Sequence, residues 1–298
     1  MAVNQELWQP LIAEGLYMQN PHLECATNAD EYVVGGAIVH IPQAGRPAPV
    51  KRNRIVTPAS VTKRGDTDVL YPLDEFTSDP TLVTNIDKTE LSYNKLESII
   101  RDNTAYLNEL VGSFLTYRWA KDVAVVSQIV TTGAAAVWGA GVATARKKFT
   151  AADIRKAQTQ LDNDGVPQGD RYLMLTPDMR NHLLEDVDIK NIFYSNIADY
   201  KGGSIPQYAG FNLLVRPVTI RVSETNVVKL PDEDNVATDF VSAIYWHKSC
   251  VERALGDIKV FENPDRAEHY GDLISFLVRA SGRARRGDNK GVGLIIAK

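Results

Sequence analysis

Apolar and polar positions along this chain follow two different periods. From Tyr93 to Ala124 the spacing is helical: Leu96, Ile99, Ile100, Leu107, Leu110, Val111, Phe114 and Leu115 recur at intervals of three, four and seven, with no intervening proline. The pattern predicts one amphipathic rod of roughly 45 Å, well above the ordinary helix length of about 11 to 12 residues. Its core stripe is read as Leu107, Leu110 and Phe114. A second helix is predicted over "KFTAADIRKAQTQLDNDGVP", with Thr150 as N-cap, Asp153 at N3, Ile154, Ala157 and Leu161 inward, and Asn163, Gly165 and Pro167 as stops. "RYLMLTPDMRNHLLEDVDIKN" (171 to 191) then begins as a short buried strand, Tyr172 to Leu175, and becomes a helix capped by Thr176 with Pro177 at N1.

Strand-type runs lie far apart in the sequence. They are "EYVVGGAIVHIPQ" (31 to 43), "GFNLLVRPV" (210 to 218), "DFVSAIYWHKS" (239 to 249), "DLISFLVRA" and "VGLIIAK". Helices and strands in this order give an α+β fold whose sheets draw on distant parts of the chain. Residues 1 to about 30 are weakly periodic and broken by Pro10 and Pro21, so they read as an arm. The stretch from about 32 to 76 reads as a long excursion without a core of its own. Between Gln43 and Asp66 it holds three prolines and six bases: Arg46, Lys51, Arg52, Arg54, Lys63 and Arg64. Apolar surface there is too sparse to offset the entropy of ordering, so the segment is expected to be ordered by another surface.

Composition narrows the classes. The 298 residues are 44% hydrophobic and 23% charged, which suits a globular chain with a sizeable core. A net charge of -4 gives no global reason to bind nucleic acid, and the basic clusters "KRNR", "ARKK" and "RARR" are each short. Cys25 and Cys250 form no paired motif, which fits a reducing compartment. The first twenty residues lack the charge pattern of a secretory signal. Val123 to Ala145 carries no charge over a membrane-spanning length, but its Ala, Gly, Thr and Ser content favours a small-residue connection buried between subdomains.

A search for chemistry finds no active site. The histidines at 22, 40, 182, 247 and 269 are scattered, with no metal-ligand spacing. No acyl-transfer serine motif or phosphate loop is present, and the glycine-rich piece at 133 to 141 lacks the flanking elements of a dinucleotide site. His247 reads as a hydrogen-bonded strand end. The two RGD tripeptides, 64 to 66 and 286 to 288, read as ordinary turns. Glu185, Asp186 and Asp188 cluster without a visible pocket.

The succession of pieces resembles the major capsid proteins of tailed bacteriophages, which share the Hong Kong 97 fold. "LDNDGVPQGDRYLMLTP" is similar to the family's helix, arginine, strand and Thr-Pro helix start; "IPQYAGFNLLVRP" to its isoleucine and Gly-Phe before a strand; and "IYWHKSCVERA", with His247, Lys248 and a helix-like piece, to its run before the last peripheral strands. The resemblance implies an N-terminal arm (1 to 30), an extended β-hairpin loop (31 to 76), a peripheral domain with a spine helix (77 to 149), an axial α/β domain (150 to 235) and returning peripheral strands (236 to 298). The six loop bases then make an intersubunit contact. It further implies hexamers and pentamers of an icosahedral shell around double-stranded DNA, with portal and scaffolding proteins as partners, DNA held non-specifically, no membrane and no cofactor or metal. Such a protein belongs to the virion capsid and is assembled in the host bacterial cytoplasm. No lysine–asparagine cross-link is assigned, although Lys51 and Lys63 are available. An encapsulin-like nanocompartment shares the fold; a soluble α+β enzyme would have to explain the excursion.

Overall fold

The computed structural model describes residues 18–33, 38–55, 57–84, 95–136, 138, 146–189, 205–236, 238–266 and 268–298. The chain opens with β1 (Thr27–Asn28) and a hairpin of β2 (Ile38–Gln43) and β3 (Thr67–Pro72), followed by β4 (Asp74–Thr77) and β5 (Thr81–Thr84). Helix α1 (Lys95–Ala120) leads to β6 (Gln128–Val130) and two short strands, β7 (Ala135–Ala136) and β8 (Arg146–Lys147). Then come α2 (Ala151–Asn163), β9 (Arg171–Leu175), α3 (Pro177–Glu185), β10 (Gln207–Tyr208), β11 (Phe211–Val215) and β12 (Ile220–Val222). The remainder is strand-rich: β13 (Phe240–His247), β14 (Val251–Leu255), β15 (Lys259–Arg266), β16 (Gly271–Ala284) and β17 (Val292–Ile296).

The first sheet is built on β16, which is 14 residues long. β14 and β15 run back along one of its edges, β4 and β5 along the other, and β1 adds to β14. The second sheet runs β10, β11, β9, β13, β17, β6, with β12 also paired to β13. β9 and β11 are parallel, as a strand, helix, strand crossover through α3 requires. β17 is buried along its whole length and β13 from Ser242 onward, which explains why their sequences read as continuous apolar runs rather than alternating ones.

Local signals in the sequence are realised. Asp153 Oδ2 accepts from the Thr150 backbone N at 3.1 Å at the start of α2, and α2 ends at Asn163 with Gly165 at φ +71°. Thr176 accepts from Met179 N, and Pro177 opens α3. Two expectations change. "VERAL" is strand β14, not a helix-like piece, because Val251 to Leu255 pair with Ala280 to Ala284 and that pairing overrides the helix propensity of Glu, Ala and Leu. The long helix stops at Ala120, giving 26 residues and about 39 Å. β13 and β17 lie in one sheet with β9 and β11.

The uncharged 123 to 145 stretch enters the second sheet as β6, which pairs with β17; residues 137 and 139–145 lie outside the described residues. No helix among the described residues is long and apolar enough to cross a membrane. The buried stripe of α1 is Leu107, Val111, Leu115 and Trp119, at intervals of four. Leu110 and Phe114 flank it, half-buried, and Phe114 packs edge-on against Phe76 at 5.2 Å. Val111→Asp should therefore cost several kcal/mol, a large share of the roughly 5 to 15 kcal/mol that holds a domain together, because its carboxylate has no route to water. Leu110→Asp, whose charge reaches solvent, should cost about 1 to 3 kcal/mol. Denaturant midpoints of the two variants test this; equal losses would place the stripe wrongly.

Candidate assembly surfaces

Two features distinguish this molecule from an ordinary α+β domain: a clasp that closes the body, and a hairpin that leaves it. The clasp forms where residues 18–25 cross α1. Asn20 Nδ2 donates to Asn108 O at 2.6 Å, and Met18 N to Glu109 Oε2 at 2.9 Å. His22 is wholly buried, with Nε2 3.2 Å from Gly112 O and 3.1 Å from Thr116 Oγ1, and its ring stands edge-on to Trp119 at 5.8 Å. Gly112 is needed there because a Cβ would collide with the Asn20 side chain. Arg216, also buried, reaches across from the end of β11 and donates to Ser113 Oγ, Glu109 O and Val218 O. Burial lowers the His22 pKa to about 3, and the neighbouring Arg216 charge pushes the same way.

The hairpin of β2 and β3 is tied to the body along its ladder, from Tyr71 to Gln43. Tyr71 OH donates to Glu252 Oε1 at 3.0 Å, Arg283 to Leu70 O at 2.8 Å and Gln43 Nε2 to Arg285 O at 2.6 Å. Val39, Ile41 and Tyr71 form a small apolar cluster with Ala29, Val33 and Ala254. The excursion thus has a core at its base, which corrects the expectation of none. Beyond it, from 44 to 66, the described side chains face solvent: Val50 is 97% exposed, Ile55 94% and Val61 98%. Gly45 and Gly65 face each other at the neck, where a Cβ on Gly45 would strike Gly65 O.

Charge bookkeeping separates the three basic clusters. In "ARKK", Arg146 is buried, donates to Asp239 O and lies over the Phe240 ring, and Lys148 pairs with Glu185 at 2.7 Å. In "RARR", Arg285 pairs with Glu252, Arg286 with Asp288, and Arg283 with Asp122. In the loop, Arg64 pairs with Asp66, but no ion pair among the described residues reaches Arg46, Lys51, Arg52, Arg54 or Lys63. Five exposed cations are thus left for something outside the subunit.

The comparisons decide what that arrangement belongs to. A family model described as phage capsid protein matches residues 29–296. The chain belongs to the phage capsid protein family. Solved structures agree in fold: the protein of Mycobacterium phage Che8 is 18% identical with a TM-score of 0.69, covering 99% of this chain and 98% of its own. The capsid of cyanophage P-SCSP1u gives 14% and 0.72 over 99% and 93%, and that of Helicobacter pylori bacteriophage KHP30 gives 11% and 0.70 over 99% and 95%. No curated protein matches the chain. This capsid protein forms the shell of the virion, and its fold is that of the Hong Kong 97 lineage.

The candidate chemical groups have partners within the subunit. Asp186 accepts from Ala151 N at the start of α2, Asp188 pairs with Arg155, and His247 Nδ1 lies 2.8 Å from Ser249 Oγ. Both RGD turns are closed by their own Arg–Asp pairs. Sequence reasoning did not single out the clasp. Its signals were a glycine inside a strong helix at 112, which costs about 1 kcal/mol against alanine without a packing reason, and a lone histidine in the arm.

The clasp has a pH signature. An unfolded histidine takes up a proton near pH 6.5, while folded His22 resists until about 3. Its contribution to stability is therefore complete above pH 6.5 and is lost, by an amount on the order of a few kcal/mol, as pH falls between those values. His22→Gln should flatten the fall in melting temperature between pH 7 and 4. Parallel curves for the two proteins would show that His22 is not the group responsible.

Proposed function

We propose that this capsid protein builds hexamers and pentamers of an icosahedral shell around double-stranded DNA, and that its hairpin loop is the device that joins neighbouring subunits. The observation that carries this reading is the loop itself. Five cations without an ion pair among the described residues and three nearly fully exposed aliphatic residues protrude from a body in which Lys148, Arg283, Arg285 and Arg286 of the other basic clusters are paired internally. An isolated subunit gains nothing from holding such a segment in water, whereas a neighbour that receives it covers apolar surface and sets register by charge. Arg46, Lys51, Arg52, Arg54, Lys63 and Arg64 are the contact residues in this reading. Shell closure then follows from symmetry and from several weak contacts per subunit acting together. Portal and scaffolding proteins are its partners, assembly takes place in the bacterial cytoplasm, and DNA is contacted diffusely, because no concentrated basic face remains once the internal ion pairs are made.

Replacing residues 46–63 with a short Gly-Ser linker tests the loop while sparing Gln43, Gly45 and Asp66 at its neck. The variant should keep the parent's circular dichroism and melting cooperativity but yield no closed particles by negative-stain imaging. An unfolded variant, or particles of normal size, would sink the reading. The contents of parental particles separate the two uses of this fold: packaged DNA with portal protein supports a phage shell, and a single co-purified enzyme supports a nanocompartment.

A further inference from the structure

Three of the five loop cations meet in one place. Segment 44–66 carries a formal charge of +5, six bases against Asp66, and in its middle a concavity of about 450 Å³ is lined by Lys51, Arg52, Asn53, Arg54, Ile55 and Ser60 among others. No carboxylate lines it, and no ion pair among the described residues reaches the three cations. Two other clefts of the subunit mix the signs: Glu75 and Asp257 with Lys259 and Arg279 in one, Asp74 and Glu75 with Arg118 and Lys121 in the other. The loop concavity is built for negative charge alone.

The backbone adds donors. Asn53 has φ +48°, so the chain turns through the left-handed region between Arg52 and Arg54, and no backbone hydrogen bond among the described residues engages the amides of 51 to 55. Successive amides in such a turn can converge on one anion. Like charges gathered around a concavity repel one another, and a multivalent anion between them reverses the sign of that interaction. A single carboxylate answers one cation. Two or three linked phosphates answer all three from one short chain, since guanidinium meets phosphate oxygens in paired hydrogen bonds and ammonium meets them as a point charge. A DNA duplex is a poorer match, because it spreads its charge along a rod while these cations occupy one short turn.

We propose that this concavity binds an oligophosphate chain, as carried by a nucleoside triphosphate or by inorganic polyphosphate, with Arg52 and Arg54 holding phosphate oxygens, Lys51 supplying the third charge, and Asn53 and Ser60 donating from their side chains. The unassembled subunit is the form that binds it, because the concavity is open to solvent there. A regulatory consequence rests on the reading of the loop as an assembly device: a bound oligophosphate cancels the loop's charge and holds back assembly until it leaves. The site itself does not rest on that reading.

Titration calorimetry of the unassembled full-length subunit with tripolyphosphate, at physiological salt, tests the site. The parent should bind one chain per subunit; Lys51→Ser/Arg54→Ser should weaken binding about tenfold or more, while Arg46→Ser/Lys63→Ser, which removes as much charge from the same segment but outside the concavity, should change it by less than roughly twofold. Melting curves should be the same for all three. No binding by the parent, or equal losses in the two variants, overturns the site. A short DNA duplex that binds more tightly than tripolyphosphate also overturns it, by assigning the cations to a nucleic-acid backbone. Adenosine triphosphate supports the site whether it binds as tripolyphosphate does, which makes the phosphate chain the whole ligand, or more tightly, which makes a nucleotide the source. Particle yield then tests the consequence. Excess tripolyphosphate should lower the parent's yield of closed particles relative to sodium chloride of equal ionic strength, and an unchanged yield with binding intact overturns the brake and leaves the site standing.

Discussion

Trp119 and Trp246 lie 5.6 Å apart at the point where the spine helix meets both sheets, and the subunit is one body because of that contact. Each indole also makes a directed bond: Trp119 Nε1 donates to Glu252 O in β14, and Trp246 Nε1 donates to Cys25 O in the arm, both at 2.9 Å. Tyr172 stacks on Trp246 at 5.8 Å, and His22 closes the group against Trp119. Aromatic pairs of this kind contribute about 0.5 to 1.5 kcal/mol beyond the area they bury. Here the rings come from four separate stretches of chain, so losing one loosens several junctions at once. Two glycines make the approach possible. Gly112 admits the arm, and Gly282 lets the helix close on β16, where a Cβ would strike Glu252 O and the Leu115 and Trp119 side chains.

Two buried arginines extend the same logic to the second sheet. Arg171 donates to Asp162 Oδ1, Val166 O and Pro167 O, fixing the turn after α2 to the start of β9. Arg216 fixes the end of β11 to α1. Guanidinium suits these places because its five donors spread over a planar fork and reach acceptors in several directions, whereas the three donors of a lysine all leave one nitrogen. A body held this firmly leaves segment 44–66 outside its core. Glu252 marks the border between the two: it is buried, accepts from Tyr71 in the hairpin and pairs with Arg285, and no hydrogen bond or ion pair among the described residues joins it to segment 44–66.

Much of this was legible in the sequence because it was local. The Thr150 and Thr176 helix starts, the Gly165 stop and the buried strands 171–175 and 240–247 all follow from signals within a few residues. The family resemblance was carried by pieces whose physical reasons are now visible: the arginine of "RYLMLTP" is the buried Arg171, and that of "NLLVRP" is the buried Arg216. What escaped was set by partners distant in sequence. Helical spacing puts Val111 and Leu115 on the apolar face with Leu110 and Phe114 but cannot say which part of that broad face is fully covered, and it leaves out Trp119. "VERAL" has helical composition and becomes a strand only because β16 lies beside it. The clasp needed His22, Gly112 and Arg216 together, three residues that span nearly two hundred positions.

Net charge conceals the feature that matters most for assembly. The chain as a whole is -4, which suggests mild repulsion between copies. With +5 in segment 44–66, the remaining residues carry -9, and the hairpin neck holds the two parts apart. In the proposed assembly, like copies attract when the loop of one meets the body of another, and repel in most other orientations. Within a Debye length of about 8 Å at physiological salt, such a field selects register and excludes misaligned encounters more than it adds affinity. In the same proposal, apolar contact by Val50, Ile55 and Val61 supplies the rest, at roughly 25 cal/mol per Å² covered. That division of labour is what a closing shell needs. Contacts with modest individual strength allow a misplaced subunit to leave before the lattice grows around it, and a charge pattern ensures that the contacts retained are the ones that close.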